Sequence, residues 1–140
     1  MSTTYVQVTN DVERQLVNTE VLTGATTLTA EDSGKVFLLK AAAGAQITLP
    51  AVATSNGFRF KFIVGQLFAT SNWTVVAASN VIEGSVIVAG SHVAGVAENT
   101  ISFVNNAEAI GDFAELVCDG AYWYVNGSGV AAGSITLTVV

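Results

Sequence analysis

The sequence predicts an all-β fold: an antiparallel β-sandwich of jelly-roll-like type, or a β-barrel, with a short N-terminal arm. Apolar and polar residues alternate through most of the chain, which is the pattern of half-buried strands. Turn signals rich in Gly, Asn and Asp recur about every 8–12 residues, and the chain has 13 glycines and one proline. Helical spacing of apolar residues occurs only in residues 10–20, "NDVERQLVNTE", a stretch equally compatible with a loop or an arm.

The length predicts one domain, because 140 residues enclose one sizeable core but not two. Residues 1–24 are more polar than the rest and are predicted to form the arm, and residues 25–140 to form a single β domain. Within the arm, "YVQVT" at residues 5–9 has the alternation of a strand that is able to add to a sheet edge. Tyr5, Val6 and Val8 are therefore the candidate contacts with a partner or a neighbouring subunit.

Further strands are predicted along the domain, and each is bounded by turn residues. In chain order they are "KVFLLK" (35–40), "AQITLP" (45–50), "FRFKFIV" (58–64), "NWTVVAA" (72–78), "SVIVAG" (85–90), "TISFV" (100–104), "DFAELVC" (112–118) and "SITLTVV" (134–140). Pro50 ends its strand, where the missing amide hydrogen does no harm.

The stretch "ELVCDGAYWYVNG" (115–127) predicts a hairpin around Asp119-Gly120. Asp-Gly favours a two-residue type I′ turn, which would place Cys118 opposite Ala121. Alternation then assigns Leu116, Cys118, Ala121, Trp123 and Val125 to one apolar face, and Glu115, Tyr122 and Tyr124 to the other. Cys118, the only cysteine, is thus predicted to be a small core residue.

The charge content argues against several classes of partner. Eleven acidic and five basic residues give a net charge of −6, and the basic residues are scattered, so no nucleic-acid partner is expected. No apolar run approaches the roughly 18 residues of a membrane span, and the N-terminal sequence does not resemble a secretory signal. Only 11% of residues are charged, against roughly 25% in ordinary soluble domains. Such a surface suits coverage by copies of the chain or by a partner.

Candidate catalytic and metal-binding residues are few. His92 is the only histidine, and a Ser-His-acid arrangement would have to recruit Ser85 or Ser91 with a distant acid such as Glu83 or Asp112. Asp112, Glu115 and Asp119 lack the spacing of a calcium loop, and no glycine-rich phosphate loop is present. The prediction is no enzyme, no catalytic residues, no metal and no cofactor.

The tyrosines of the predicted hairpin allow two interpretations. Exposed aromatic rings stack on sugars, so Tyr122 and Tyr124 are candidate glycan contacts. Aromatic pairs are also ordinary cross-strand stabilisers, contributing about 0.2–1 kcal/mol.

Residues 27–65, "TLTAEDSGKVFLLKAAAGAQITLPAVATSNGFRFKFIVG", resemble a module of virion structural proteins of tailed bacteriophages. The resemblance continues through "NWTVVAASNVIEGSVIVAG" and "GDFAELVCDGAYWYVNGSG" and covers roughly residues 27–129. Because the module is nearly the whole chain, the protein resembles capsid decoration (cement) proteins.

That resemblance implies a non-enzymatic homotrimer that binds the major capsid protein on the outer capsid surface and stabilises the shell. The protein would be made in the host cytoplasm and then reside on the virion, with Tyr5, Val6 and Val8 as candidate capsid contacts. Related modules also occur in tails and fibres, so a glycan- or receptor-binding module is the alternative.

Overall fold

The computed structural model describes residues 16–140, which form two β-sheets packed face to face. The strands are β1 (Thr19–Leu22), β2 (Thr26–Thr27), β3 (Val36–Leu39), β4 (Gln46–Thr48), β5 (Arg59–Val64), β6 (Trp73–Val76), β7 (Ile82–Val88), β8 (Ser91–Glu98), β9 (Thr100–Phe103), β10 (Phe113–Cys118), β11 (Trp123–Gly129) and β12 (Ile135–Thr138). Single 3₁₀ turns lie at Ala30–Asp32 and Val52–Thr54. The all-β sandwich is confirmed.

The two sheets are mixed in direction, so the expectation of an antiparallel sandwich is corrected. One sheet has seven strands in the order β1-β3-β5-β10-β11-β7-β8, and the other has five in the order β12-β9-β6-β4-β2. The first six strands enter the two sheets alternately, so β1, β3 and β5 run parallel, as do β2, β4 and β6. A parallel pair needs a crossover, and here each crossover contains a strand of the opposite sheet. The alternation of apolar and polar residues along one strand does not indicate whether the neighbouring strand runs parallel or antiparallel to it.

The folded domain begins before residue 25, where the arm was predicted to end. β1 pairs with β3 from Thr19 to Leu22, and Glu20 forms an ion pair with Lys35 at 2.9 Å. The candidate contacts Tyr5, Val6 and Val8 lie outside the described residues.

The core between the sheets contains the apolar halves of the alternating strands. Phe37, Phe60, Phe62 and Trp123 form an aromatic cluster on the seven-stranded sheet, with the Phe60 and Trp123 ring centroids 5.6 Å apart. Full burial of such side chains stabilises the fold by about 1.5–3 kcal/mol each. The alternation in residues 58–64 predicts that Phe60, Phe62 and Val64 share the buried face of β5, and all three are buried.

The hairpin of β10 and β11 has a different turn from the predicted one. Cys118 pairs with Trp123 rather than Ala121, so residues 119–122 form the loop, and only Gly120 among them has a positive φ. The Asp119 carboxylate accepts hydrogen bonds from the backbone N–H groups of Ala121 and Tyr122, both at 2.9 Å, and thereby organises the longer loop. The observed register differs from the predicted one by two residues. The residues therefore keep their predicted faces, except for Ala121, which is exposed.

A tight turn with the predicted chemistry occurs instead between β7 and β8. Val88 pairs with Ser91, and the two intervening residues, Ala89 and Gly90, have φ values of +50° and +80°. This is the backbone of a type I′ turn. Residues 89 and 90 were predicted to end a strand, and β8 was not predicted because its alanines and glycine give a weak strand pattern.

Cys118 is buried, as predicted, with its Sγ 3.8 Å from the Val52 carbonyl oxygen and 3.4 Å from the Gly120 nitrogen. Burial raises the pKa of the Cys118 thiol, the Gly120 N–H opposes that rise, and the nearby Asp119 charge adds to it. Cys118 is therefore part of the scaffold.

Candidate functional site

The tyrosine pair lies exposed at the β10–β11 loop. Tyr122 and Tyr124 are 43% and 45% exposed, and their ring centroids are 6.2 Å apart with an interplanar angle of 54°. The Tyr124 hydroxyl donates to Asp119 Oδ2 at 2.7 Å. The structure thus presents two rings and one carboxylate side by side at this corner.

These contacts shift the pKa of both acidic groups. The hydrogen bond from Tyr124 lowers the pKa of Asp119, with further lowering by the N–H groups of Tyr122 and Ala121. The same bond, through the Asp119 carboxylate, raises the pKa of Tyr124. A hydrogen bond to the charged form favours that form, and one donated by the neutral form favours the neutral form.

We expect Tyr124 to ionise above the usual tyrosine pKa of about 10 in an absorbance titration of phenolate formation. Asp119→Asn should lower that transition by more than Tyr122→Phe, because the Asp119 hydrogen bond is the largest cause of the raised pKa and Tyr122 is a smaller one. Because the folded-state pKa of Tyr124 is raised, its contribution to stability is present below about pH 10 and is lost as pH rises through the folded value. Asp119 acts oppositely: its contribution is lost as pH falls through its lowered pKa. An unchanged titration in Asp119→Asn would contradict the assignment.

The outward-facing side chains of the seven-stranded sheet, here called the outer face, lie on the side of the sheet that faces away from the five-stranded sheet. Cross-strand register aligns one apolar row across it, consisting of Val21, Leu38, Ile63, Phe113 and, beyond Ser128, Ile87. Val21 is 50% and Ile87 45% exposed. Apolar rows of this kind are typical of surfaces that bind other proteins.

Sequence reasoning missed the apolar row, although a signal for it was present. In β3 and β5, Leu38 and Ile63 are apolar residues that lie between apolar neighbours, as in strands buried on both faces. Which residues form one row, however, depends on the order and register of strands from distant parts of the chain.

The outer face contains both basic and acidic residues. Arg59 and Lys61 lie on β5, whereas Glu115 lies on β10, Glu83 on β7 and Asp119 on the β10–β11 loop. Among residues 16–140, ion pairs are formed only by Lys35, with Glu20 and Asp32. The Lys61 ammonium lies 4.6 Å from the Phe113 ring centroid, a cation–π contact. Lys61 and Glu115 are cross-strand neighbours, whereas Arg59, on the β5 side of the outer face, and Glu83, on its β7 side, form no ion pair within residues 16–140. The Glu83 carboxylate accepts a hydrogen bond from Ala97 N–H at 3.1 Å.

An open groove of about 750 Å³ crosses the β5 side of the outer face, close to the first described residues. Leu16, Val17 and Asn18 form one wall, and residues of β3, β5 and β10, including Arg59 and Val117, form the rest. The chain preceding Leu16 therefore joins the domain at this face.

The five-stranded sheet presents a different outward surface. Its strands contain no charged residue, and register aligns Thr27, Thr48, Val76, Thr100 and Thr138 in one row and Gln46, Thr74, Ser102 and Thr136 in the next. This surface consists mainly of hydroxyl side chains with Gln46 and Val76, and two of the hydroxyl residues in its rows, Thr100 and Ser102, are buried.

Of the residues considered for a Ser-His-acid arrangement, Ser91 and His92 lie on β8, Glu83 and Ser85 on the neighbouring β7, and Asp112 directly before β10. His92 is exposed on β8 and pairs in register with Ile87, whereas Cys118 faces the core on β10, three strands away. Asp112 is buried and accepts hydrogen bonds from the N–H groups of Ala109 and Val130, a structural role. Within residues 16–140, no three His, Cys, Asp or Glu residues are grouped to hold a metal ion.

No protein-family model, curated protein or solved structure matches this chain. In the described part of the chain, no helix has the length and apolar character needed to cross a bilayer.

Proposed function

We propose that this protein is a non-enzymatic capsid decoration protein of a tailed bacteriophage, which binds the outer capsid surface as a homotrimer and stabilises the shell. The observation that carries the proposal is the outer face, where register aligns apolar residues from five strands in one row, and Val21 and Ile87 in that row are about half exposed. The proposal is also supported by the resemblance of residues 27–129 to phage virion modules.

Stabilisation of the shell follows from selective binding. A decoration protein binds the assembled lattice of the major capsid protein and not its free subunits, so the binding free energy adds to the stability of the lattice by mass action. Three linked copies raise the effective concentration of each contact, so weak individual contacts suffice.

The contact with the shell is assigned to the N-terminal arm. The chain joins the domain beside the groove that Leu16 and Val17 line, and residues 5–9 have the alternation of a strand able to pair with an open sheet edge. Tyr5, Val6 and Val8 then contact the major capsid protein mainly through apolar and main-chain groups. Such contacts depend only modestly on salt.

Deletion of residues 1–15 should give a folded domain that decorates capsids poorly. The deletion stops short of Thr19 because removal of β1 would also remove its pairing with β3 and the ion pair of Glu20 with Lys35. Binding is measured by co-sedimentation with undecorated capsids, and the temperature of capsid disruption reports the stabilisation. Capsids with the truncated protein should break at the temperature of undecorated ones.

A matched pair of full-length variants separates the apolar contacts from the length of the arm. Val6→Asp with Val8→Asp changes one face of the predicted strand, and Gln7→Asp with Thr9→Asp changes the other. The first pair should weaken decoration more strongly, because the second pair lies on the face of Tyr5 but leaves the Tyr5 ring in place. Undiminished binding by the truncated protein would exclude the arm and direct attention to the loops around Asn56 and Asn106, whereas Gly84 lies within β7.

The second candidate function is a glycan- or receptor-binding module of a tail or fibre. It is favoured by one observation, the exposed ring pair of Tyr122 and Tyr124 beside the Asp119 carboxylate. A glycan array distinguishes the two functions: a specific signal that is lost in Tyr122→Ala and Tyr124→Ala would favour the module, whereas a decoration protein gives none.

A further inference from the structure

We propose that the outer face of the seven-stranded sheet is the surface through which copies of this chain meet, the β5 side of one copy facing the β7 side of the next. This inference rests on the proposed homotrimer and adds to it the location of the subunit contact. The area of the outer face, its charged residues and its apolar row each support the inference.

The outer face is the larger of the two outward sheet surfaces. Strands lie about 4.8 Å apart and rise about 3.3 Å per residue, so seven strands of four to eight residues give a face of roughly 400–750 Å². A stable interface needs roughly 800 Å² per partner. In a ring of three the outer face is shared by two contacts, so the loops beside the sheet must supply the remaining area. The outward surface of the five-stranded sheet, with strands of two to four residues, is about a third as large.

Residues of opposite charge lie at the two ends of one row of the outer face. Arg59 occupies one end of a cross-strand row that continues through Val117 and Tyr124 to Glu83. Three strand spacings, about 14 Å, separate the ends of this row, so Arg59 and Glu83 of one chain do not pair. Between copies they are complementary, because each copy offers a cation on one side and an anion on the other.

The closed symmetry of a trimer sets a condition on the contact surface of each subunit. A closed ring of three requires each subunit to present two different patches, one to each neighbour. The two sides of the outer face meet this requirement on one continuous surface, and the apolar row runs through both. Association covers Val21 and Ile87, which are about half exposed in the single chain.

The test begins with the mass of the full-length protein in solution by light scattering. The wild type should have three times the 14.4 kDa mass of one chain. Ile87→Asp places a charge in the apolar row and should raise the dissociation constant by about 100-fold or more. Val76→Asp makes a comparable change on the five-stranded sheet and should leave the oligomer intact. Circular dichroism checks that both variants are folded.

A charge exchange tests the pairing directly and uses the exposed Arg59. Arg59→Glu and Glu83→Arg should each weaken association, whereas the double variant should associate with itself. Mixed with the wild type, the double variant should form no mixed oligomers in native mass spectrometry, because unlike chains would oppose like charges.

The outcomes separate this inference from the proposed function. A wild-type monomer at micromolar concentration would overturn both the inference and the homotrimer. A wild-type trimer that survives Ile87→Asp and Arg59→Glu, or that is lost in Val76→Asp, would overturn the inference and leave the homotrimer standing. Failure of the double variant to associate would overturn the assigned pairing of the two sides.

Discussion

Replacement of Gly84 by alanine should lower the free energy of unfolding by about 2–6 kcal/mol, a large share of the 5–15 kcal/mol typical of a domain. Gly84 lies in β7, between β11 and β8, at a register irregularity that follows Ile82. Its φ is +123°, a conformation that costs a residue with a side chain about 1–3 kcal/mol. An added Cβ would also fall on the backbone carbonyl oxygen of Val125, and overpacking of this kind costs about 1–3 kcal/mol.

Two further glycines separate these contributions. Gly90 has φ +80° but no atom within 4 Å of an added Cβ, so Gly90→Ala measures the conformational cost alone, about 1–2 kcal/mol. Gly24 has neither a positive φ nor a close neighbour, so Gly24→Ala should change stability by less than about 0.5 kcal/mol. Urea unfolding measures all three. Equal losses for Gly84→Ala and Gly90→Ala would show that the contact with Val125 contributes nothing.

The sequence was sufficient to predict the strands whose alternation is regular. In β5, the burial of Phe60, Phe62 and Val64 follows from local spacing alone, and the same holds for Cys118 and Trp123 across the β10–β11 hairpin. The exposure of Tyr122 and Tyr124 was predictable for the same reason.

The positions of the two turns could not be predicted from the sequence, because each depends on competition between local and cross-strand interactions. Asp119-Gly120 has the residues of a tight turn, but the Asp119 carboxylate is satisfied by Ala121, Tyr122 and Tyr124 in a longer loop. Ala89-Gly90 forms the tight turn although alanine is unusual at positive φ. The pairing of the flanking strands overrides that preference.

The apolar row required still more information, because it joins residues from five strands spread between Val21 and Phe113. Each of these residues is unremarkable by itself. Only the mixed strand order places them side by side, and the order is fixed by packing of the whole core.

The Asp112 carboxylate should be the most important polar group of the scaffold. It is 2% exposed, and it accepts hydrogen bonds from Ala109 N–H at 2.9 Å and from Val130 N–H at 3.1 Å. These hydrogen bonds connect the loop before β10 with the residue that follows β11. Hydrogen bonds to a charged group contribute about 1.5–3 kcal/mol each, and loss of the acceptor leaves the donors unsatisfied where they are buried.

Asp112→Ala should therefore lower the free energy of unfolding by about 3–6 kcal/mol, and Asp112→Asn, which keeps one acceptor oxygen, by about half as much. Asp119 provides the matched control, because it also accepts two backbone N–H groups, at 2.9 Å, but lies exposed. In Asp119→Ala water replaces the carboxylate, so the loss should be clearly smaller. Urea unfolding of the three variants checks the order, and an Asp112→Ala protein no less stable than Asp119→Ala would contradict the structural role of this buried carboxylate.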